Sequence, residues 1–453
     1  MYGPPVDPRQ RLAPVEIFDT WEAYLFCGVL GLVLSGLAWW KKPSIEARSA
    51  LFIGGQCIIL TAPLAFFVDT YFYGSFPTLD KAGSLAFYLE GVHHRIMAHP
   101  IDAIHDPAAR LIGIHMGHLW VTELFDAFLT PMGAFNMQAL LYPALGWWCS
   151  WLLFHEITGK ARISMVMSFP FGMGLHVFRD LNWYTIEKAA IYVLPLFLFA
   201  CHRAWRRGGV WVWLSAVLLA LSAWMNVYFG LLNAGMLVLM VVAVCASQNL
   251  HQRRILHTAM AGFCLLMPLA LWQWLILHGG PPLASPESYL WERAALDTFT
   301  LQPFRWNRLE GHRALNMVAM GIALVGIWRG RWTGMIRFAT LAAVVFFMLS
   351  LGPLLGAGGA ENPVYMVARA TVPGFWRMAK PEVFFHMTWL MLLGIAAVEA
   401  CRQGWSNRVT TLLYGLFVMG WLIMIRTHPA YPPMTMPLEV KLNADWEQPG
   451  AQP

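Results

Sequence analysis

Apolar runs of about 17 to 25 residues recur along this chain, the length a helix needs to cross the hydrocarbon of a bilayer. A backbone in hydrocarbon must satisfy its own hydrogen bonds, so such runs fold as helices. Read with their breakers, they give about twelve spans. Approximate limits are 21–40, 50–72, 134–154, 163–178, 184–201, 210–225, 227–246, 256–277, 313–328, 335–355, 383–399 and 408–425. The predicted fold is all-α, a polytopic transmembrane helical bundle. Of the 453 residues, 58% are apolar and 12% charged. Soluble domains carry roughly twice that charge, which argues against a large soluble core.

Alternate connections are short and basic: "KKPSIEAR", "HEITGKAR", "CHRAWRRGG", "SQNLHQRR", "RGRWTGMIR" and "CRQGWSNR". The positive-inside rule puts them in the cytoplasm. The other side then receives the N-terminus, segments 73–133, 278–312 and 356–382, and the Pro-rich tail. The expectation is a multi-pass protein of a bacterial inner membrane with both termini periplasmic. The N-terminus has prolines and both charge signs ahead of the first run, unlike a cleavable signal, so the first span is expected to be retained. The net charge of +6 is spread over the short loops and is explained by topology, with no nucleic-acid partner implied. The seven cysteines sit in or at the ends of apolar runs without CxxC spacing, which suggests neither a disulfide framework nor a thiolate metal site. Many of the 23 tryptophans lie near span ends, as in an interfacial aromatic belt. No internal repeat or paired Gly/Pro-broken spans mark an inverted-repeat transporter.

Since every cytoplasmic connection is short, chemistry or binding is expected outside. In segment 73–133, Leu85, Tyr88, Leu89 and Val92 recur at helical spacing, as do Ile112, His115, Met116 and Leu119 after Pro107. Both stretches read as amphipathic helices on the membrane surface. Asp80 precedes the first, where it can cap a helix or act as a base, and Asp69 stands at the outer end of the preceding span. His115 and His118, followed by Glu123 or Asp126, have a spacing open to a divalent metal pair and equally to interfacial histidines without metal. His176, His202, His257 and His386 lie in or near spans but carry no pairing signal for haem. "VPGFWRMAKPEVFF", residues 372–385, brings Arg377, Lys380 and Glu382 to the mouth of a span. Cations there anchor a span against headgroups or hold an anionic ligand.

Four stretches in order carry a resemblance: "FPTLDKAGSLAFYLEGV", "GAFNMQALLYPALGWWCSWLLFHEITGKARISMVMSFPFGM", "GLHVFRDLNWYTIEKAAIYVLPLFLF" and "LSLGPLLGAGGAENPVYMVARATVPGFWRMAKPEVFF". Together they resemble the bacterial multi-spanning membrane glycosyltransferases of superfamily C (GT-C), which take sugars from polyprenyl phosphates. The resemblance spans residues 50–400, leaving 1–49 as an N-terminal segment with an additional span and 401–453 as the last span and tail. It implies a sugar transferred to an acceptor on the periplasmic face, with Asp80 as general base and Asp69 in reserve. Arg377 and Lys380 would hold the lipid phosphate, and Arg179, Asp180 and Asn182 would line the same cavity. Membrane lipid and the lipid-linked sugar are the implied partners. No cofactor is fixed by it, a divalent metal remaining a candidate. Three departures point instead to a noncatalytic GT-C-like subunit of a larger membrane complex. Glu382 and Val383 replace a second family arginine, Asn226 with Tyr228 stands where the family often has Asp-Tyr, and the extra first span offers a docking element for membrane protein partners.

Overall fold

Each apolar run comes out at least in part as helix in the computed structural model. It describes residues 17–40, 45–74, 116–129, 131–174, 177, 189–247, 253–278, 310–329, 333–355, 360–372, 375 and 381–427. Fourteen α-helices occur among the described residues, in the order α1 (Ile17–Trp40), α2 (Ile45–Gly74), α3 (Met116–Asp126), α4 (Pro131–Thr158), α5 (Ala161–Gly172), α6 (Val193–Arg207), α7 (Val210–Met225), α8 (Val227–Ser247), α9 (Arg253–His278), α10 (Glu310–Arg329), α11 (Gly334–Ser350), α12 (Pro363–Thr371), α13 (Phe385–Arg402) and α14 (Asn407–Thr427). The described residues are all-helical in their regular elements apart from a two-residue antiparallel bridge, β1 (Leu354–Leu355) against β2 (Ala360–Glu361), which ties off the loop after α11.

Two predicted limits shift. The run expected to be helical to 178 closes as α5 at Gly172, after Pro170 in its last turn, Val177 is again helical, and α6 begins at Val193. Around that start the backbone makes tight turns instead, with the Ile191 N–H bonded to the Ala189 carbonyl at 2.8 Å. Pro170 removes one helical donor within the last turn of α5.

Residues at the centre of the bundle are contributed by α4, α5, α6, α8, α11 and α13, with Trp147, Phe154, Phe171, Phe197 and Phe229 fully buried. Packing is closest where side chains are smallest. Gly31 and Ser35, one turn apart on α1, face Gly55 of α2 so tightly that a Cβ on Gly31 would come within 2.9 Å of the Gly55 carbonyl oxygen. Small residues spaced four apart are how helices approach in lipid, where burying apolar surface gives no driving force. The α4–α5 hairpin turns on Gly159, whose φ of 67° and bond to the His155 carbonyl end α4 in a left-handed cap. The Trp147 and Trp151 indoles then donate to carbonyls of Met165 and Ala161 at 3.2 and 3.0 Å.

At this crossing a Cβ on Gly172 would run into the backbone of Trp147. Backbone cannot rotate away, so Gly172→Val is expected to destabilise the protein by about 1–3 kcal/mol, the usual cost of overpacking. The check is thermal unfolding in detergent, and an unchanged midpoint would contradict the contact.

The outward faces carry large apolar side chains: Leu25, Leu32, Val210, Met267, Trp328 and Leu412 are each well over half exposed. Two helical stretches, Val227–Cys245 and Arg254–Leu271, are long and apolar enough to cross a membrane by length and composition.

Candidate functional site

Helix α3 lies across one end of the bundle because residue 117 has no side chain. A Cβ on Gly117 would meet the Met225 backbone nitrogen at 2.9 Å, at the close of α7. His118, Leu119 and Thr122 are thereby buried, while Trp120 and Leu124 on the other face are exposed. This matches the amphipathic helix expected after Pro107 over Met116 and Leu119, while Ile112 and His115 lie outside the described residues. The companion helix expected over 85–92 lies outside the described residues.

Two polar pairs, each one helical turn apart, meet between α3 and α4. Gln138 donates from Nε2 to Thr122 Oγ1 at 2.9 Å and to the Ala134 carbonyl at 3.2 Å. Its Oε1 therefore accepts from the Tyr142 hydroxyl at 2.9 Å. A phenol has one proton, so toward His118 Nδ1, 3.0 Å away, the Tyr142 oxygen accepts. Thr122 in turn donates to the His118 carbonyl at 3.1 Å and closes the circuit. In this arrangement neutral His118 holds its proton on Nδ1, leaving Nε2 as the basic nitrogen. All four side chains are buried, and the Tyr142 ring packs on Tyr192 with centroids 5.6 Å apart.

Beside this circuit, α7 and α8 join through one extended residue, Asn226 (φ −156°, ψ 126°). Its Oδ1 accepts the Tyr228 N–H at 2.9 Å, and its own N–H reaches the Ser222 carbonyl at 3.0 Å. The side chain thus supplies the hydrogen bond that the break in the helix removes. His386, buried in the first turn of α13, sits edge-on to Phe229 of α8 with centroids 6.2 Å apart.

The third part is the loop between α11 and α13. Asn362 is fully buried and donates from Nδ2 to the carbonyls of Met348 and Gly352, the latter at 2.8 Å, while Oδ1 accepts the Tyr365 N–H as the cap of α12. Pro363 follows at the first helical position, where its missing N–H costs nothing. Tyr365, Phe375, Phe384 and Phe346 then form a continuous aromatic row, with successive centroids 5.1, 5.5 and 6.2 Å apart. Its middle two members, Phe375 and Phe384, frame "WRMAKPEV" on either side.

Of the residues singled out in the sequence, Asp69 falls on α2, five residues before its end, with its side chain outside the described residues. Asp80, Arg179, Asp180, Asn182, Arg377 and Lys380 lie outside them altogether, as does the Glu382 side chain. Antiparallel packing puts the chain segments leading to these positions at the α3 end: Gly74 of α2, Ala189 before α6, and Phe375 and Pro381 before α13. Among the described residues no group of three or more His, Cys, Asp or Glu could hold a metal ion, and His115 and the Asp126 side chain are not among those described. The circuit of Thr122, Gln138 and Tyr142 escaped the sequence reading. Its only trace there is a pair of polar residues at i, i+4 in each of two apolar stretches.

The opposite end is basic. Arg203 of α6 forms an ion pair with Glu156 of α4 at 2.7 Å, and its guanidinium lies over the rings of Phe199 and Trp211. Both Glu156 and His202 stand beyond the predicted limits of their spans. Partial burial raises the Glu156 carboxyl, but the hydrogen bond and charge of Arg203, with Arg207 and His202, outweigh it and hold it below the usual carboxylate range. Burial lowers His202 below its ordinary value, the Glu156 charge opposing this and Arg206 and Arg203 adding to it.

Comparison with known protein families, with curated proteins and with solved structures finds no match to this chain.

Proposed function

We propose that this chain is a multi-pass membrane protein of GT-C architecture that transfers a sugar from a polyprenyl-phosphate donor at the outer face of a bacterial inner membrane. The all-helical fold, two helices fit to cross a bilayer, the small-residue contact between α1 and α2, and the exposed apolar faces support the membrane part. The observation that carries the functional part is the stack of Phe375 on Phe384 at 5.5 Å. It holds the two ends of the stretch containing Arg377 and Lys380 at one place, at the mouth of α13. In this reading both cations grip the lipid phosphate, Arg377 through a forked pair of donors and Lys380 as a point charge. Asp80, or Asp69 in its stead, removes the acceptor proton as the hydroxyl attacks the anomeric carbon, and the donor phosphate departs with the bonding pair.

The test is binding of polyprenyl phosphate to the purified chain, read by native mass spectrometry. Removing two charge-assisted contacts of about 1.5–3 kcal/mol each means that Arg377→Ala with Lys380→Ala should weaken binding by well over tenfold. Equal affinity of variant and wild type would remove the cations from the site.

A second reading, a noncatalytic subunit, is favoured by Asn226. An amide cannot act as a base, and this one is occupied in bracing the α7–α8 turn. Gentle detergent extraction distinguishes the two: a chain that always runs alone contradicts the subunit reading.

A further inference from the structure

A half-open cavity of about 100 Å³ lies where α4, α6, α8, α11 and α13 meet. Its wall includes Phe154, Met236, Met240, Phe338, Met391 and Gly394, and every lining residue is apolar. Water finds no partner in such a space. Methionines, four of which line it, mould to flexible apolar guests. The cavity belongs to neither the circuit around His118 nor the loop around Asn362. Ile157 near the end of α4, Met335 at the start of α11 and Val398 in the last turns of α13 set it toward the basic end of the bundle.

Cations stand close by in the chain. Arg337 is flanked by the lining residues Ile336 and Phe338 and is exposed, and Lys160 and Arg162, both exposed, follow Ile157. The neighbouring acids are already engaged: Glu156 with Arg203, and Glu399 with Arg402 at 3.1 Å and Gln403 at 2.9 Å. An apolar recess with exposed cations next to its lining residues in the chain, and with the nearby acids engaged, matches one ligand chemistry, a hydrocarbon tail below an anionic headgroup.

We propose that this cavity binds an acyl chain of an anionic phospholipid from the leaflet at the basic end, with the headgroup held by Arg337, Lys160 and Arg162. The proposal rests on the bundle lying in a bilayer, but not on sugar transfer. It places a lipid at the opposite end of the molecule from the polyprenyl-phosphate site.

The experiment uses the full chain in nanodiscs containing phosphatidylglycerol that carries a diazirine on one acyl chain, with cross-linked residues mapped by mass spectrometry. Label is expected on Met236, Phe338 and Met391 as well as on outward residues such as Leu32 and Leu412. A Cβ at Gly394 touches only the Phe154 ring, at 3.5 Å, so Gly394→Leu should fold and fill the recess. The inner label is expected to be lost in that variant and in Ala339→Leu, while the outward label persists. Outward label with none on the wall would overturn the cavity site and leave the bilayer reading standing. Absence of label from the outward residues as well would overturn both. The rim is tested with phosphatidylcholine and a free fatty acid bearing the same diazirine. Weaker inner labelling by both supports the anionic phospholipid, and equal labelling by either overturns it.

Discussion

Under the proposed sugar-transfer function, Asp80→Asn is expected to lower turnover by about 10²–10⁴-fold, the contribution of a positioned general base. The substitution keeps the size of the side chain and its capacity to cap a helix, since an amide oxygen also accepts backbone N–H bonds. What it removes is the lone pair able to take a proton from an acceptor hydroxyl. The loss should therefore appear in turnover, with polyprenyl-phosphate binding and membrane insertion unchanged. Asp69→Asn serves as the comparison. If Asp80→Asn retains activity within a few-fold of wild type and Asp69→Asn does not, the base is Asp69. If neither matters, the carboxylate mechanism fails and the noncatalytic reading gains.

The second large effect belongs to Asn362. Replacement by Leu, of the same branching, leaves the Gly352 carbonyl without this donor in a buried place, takes one of two donors from the Met348 carbonyl and deprives α12 of its cap. Unsatisfied buried groups of this kind cost about 1–3 kcal/mol each, so a total of about 2–4 kcal/mol is expected. Asn362→Asp separates the two roles. A carboxylate still accepts at Tyr365 but cannot donate to either carbonyl, so it should be nearly as damaging. Thermal unfolding in detergent gives the size of the effect, and protease cleavage between residues 353 and 375 reports where the structure opens. A variant that melts like wild type and resists cleavage would show the loop to be held by other means.

Helix positions were legible because periodic apolar runs bounded by charge leave the backbone one option. The limits of α7 and α8, for example, fall within a residue of those read from the sequence. The early stop of α5 was half visible in Pro170 and Gly172, which the hydropathy of the surrounding run concealed. Asn362 left a local sign, an asparagine before proline ahead of a short helical stretch, but its bonds to carbonyls ten and more residues back depend on how the loop returns. The His118 circuit was less legible still. His118 drew notice as half of a metal pair with His115, yet its bond to Tyr142 joins residues 24 positions apart and exists only because Gly117 lets α3 settle on α7. Of the site residues chosen for their charge, Asp69 lies on α2 and the others fall outside the described residues, in stretches of sequence where apolar periodicity says least about position.

The stack of Phe375 on Phe384 has an entropic consequence. Bringing the ends of a chain segment together carries a closure cost that grows with the logarithm of its length. Here the folded aromatic row has met that cost before any ligand arrives. An anion caught by Arg377 and Lys380, as proposed, would meet a segment whose two ends are already joined. Its affinity would then depend on the integrity of a purely apolar contact that never touches it, one ring on each side of the charges.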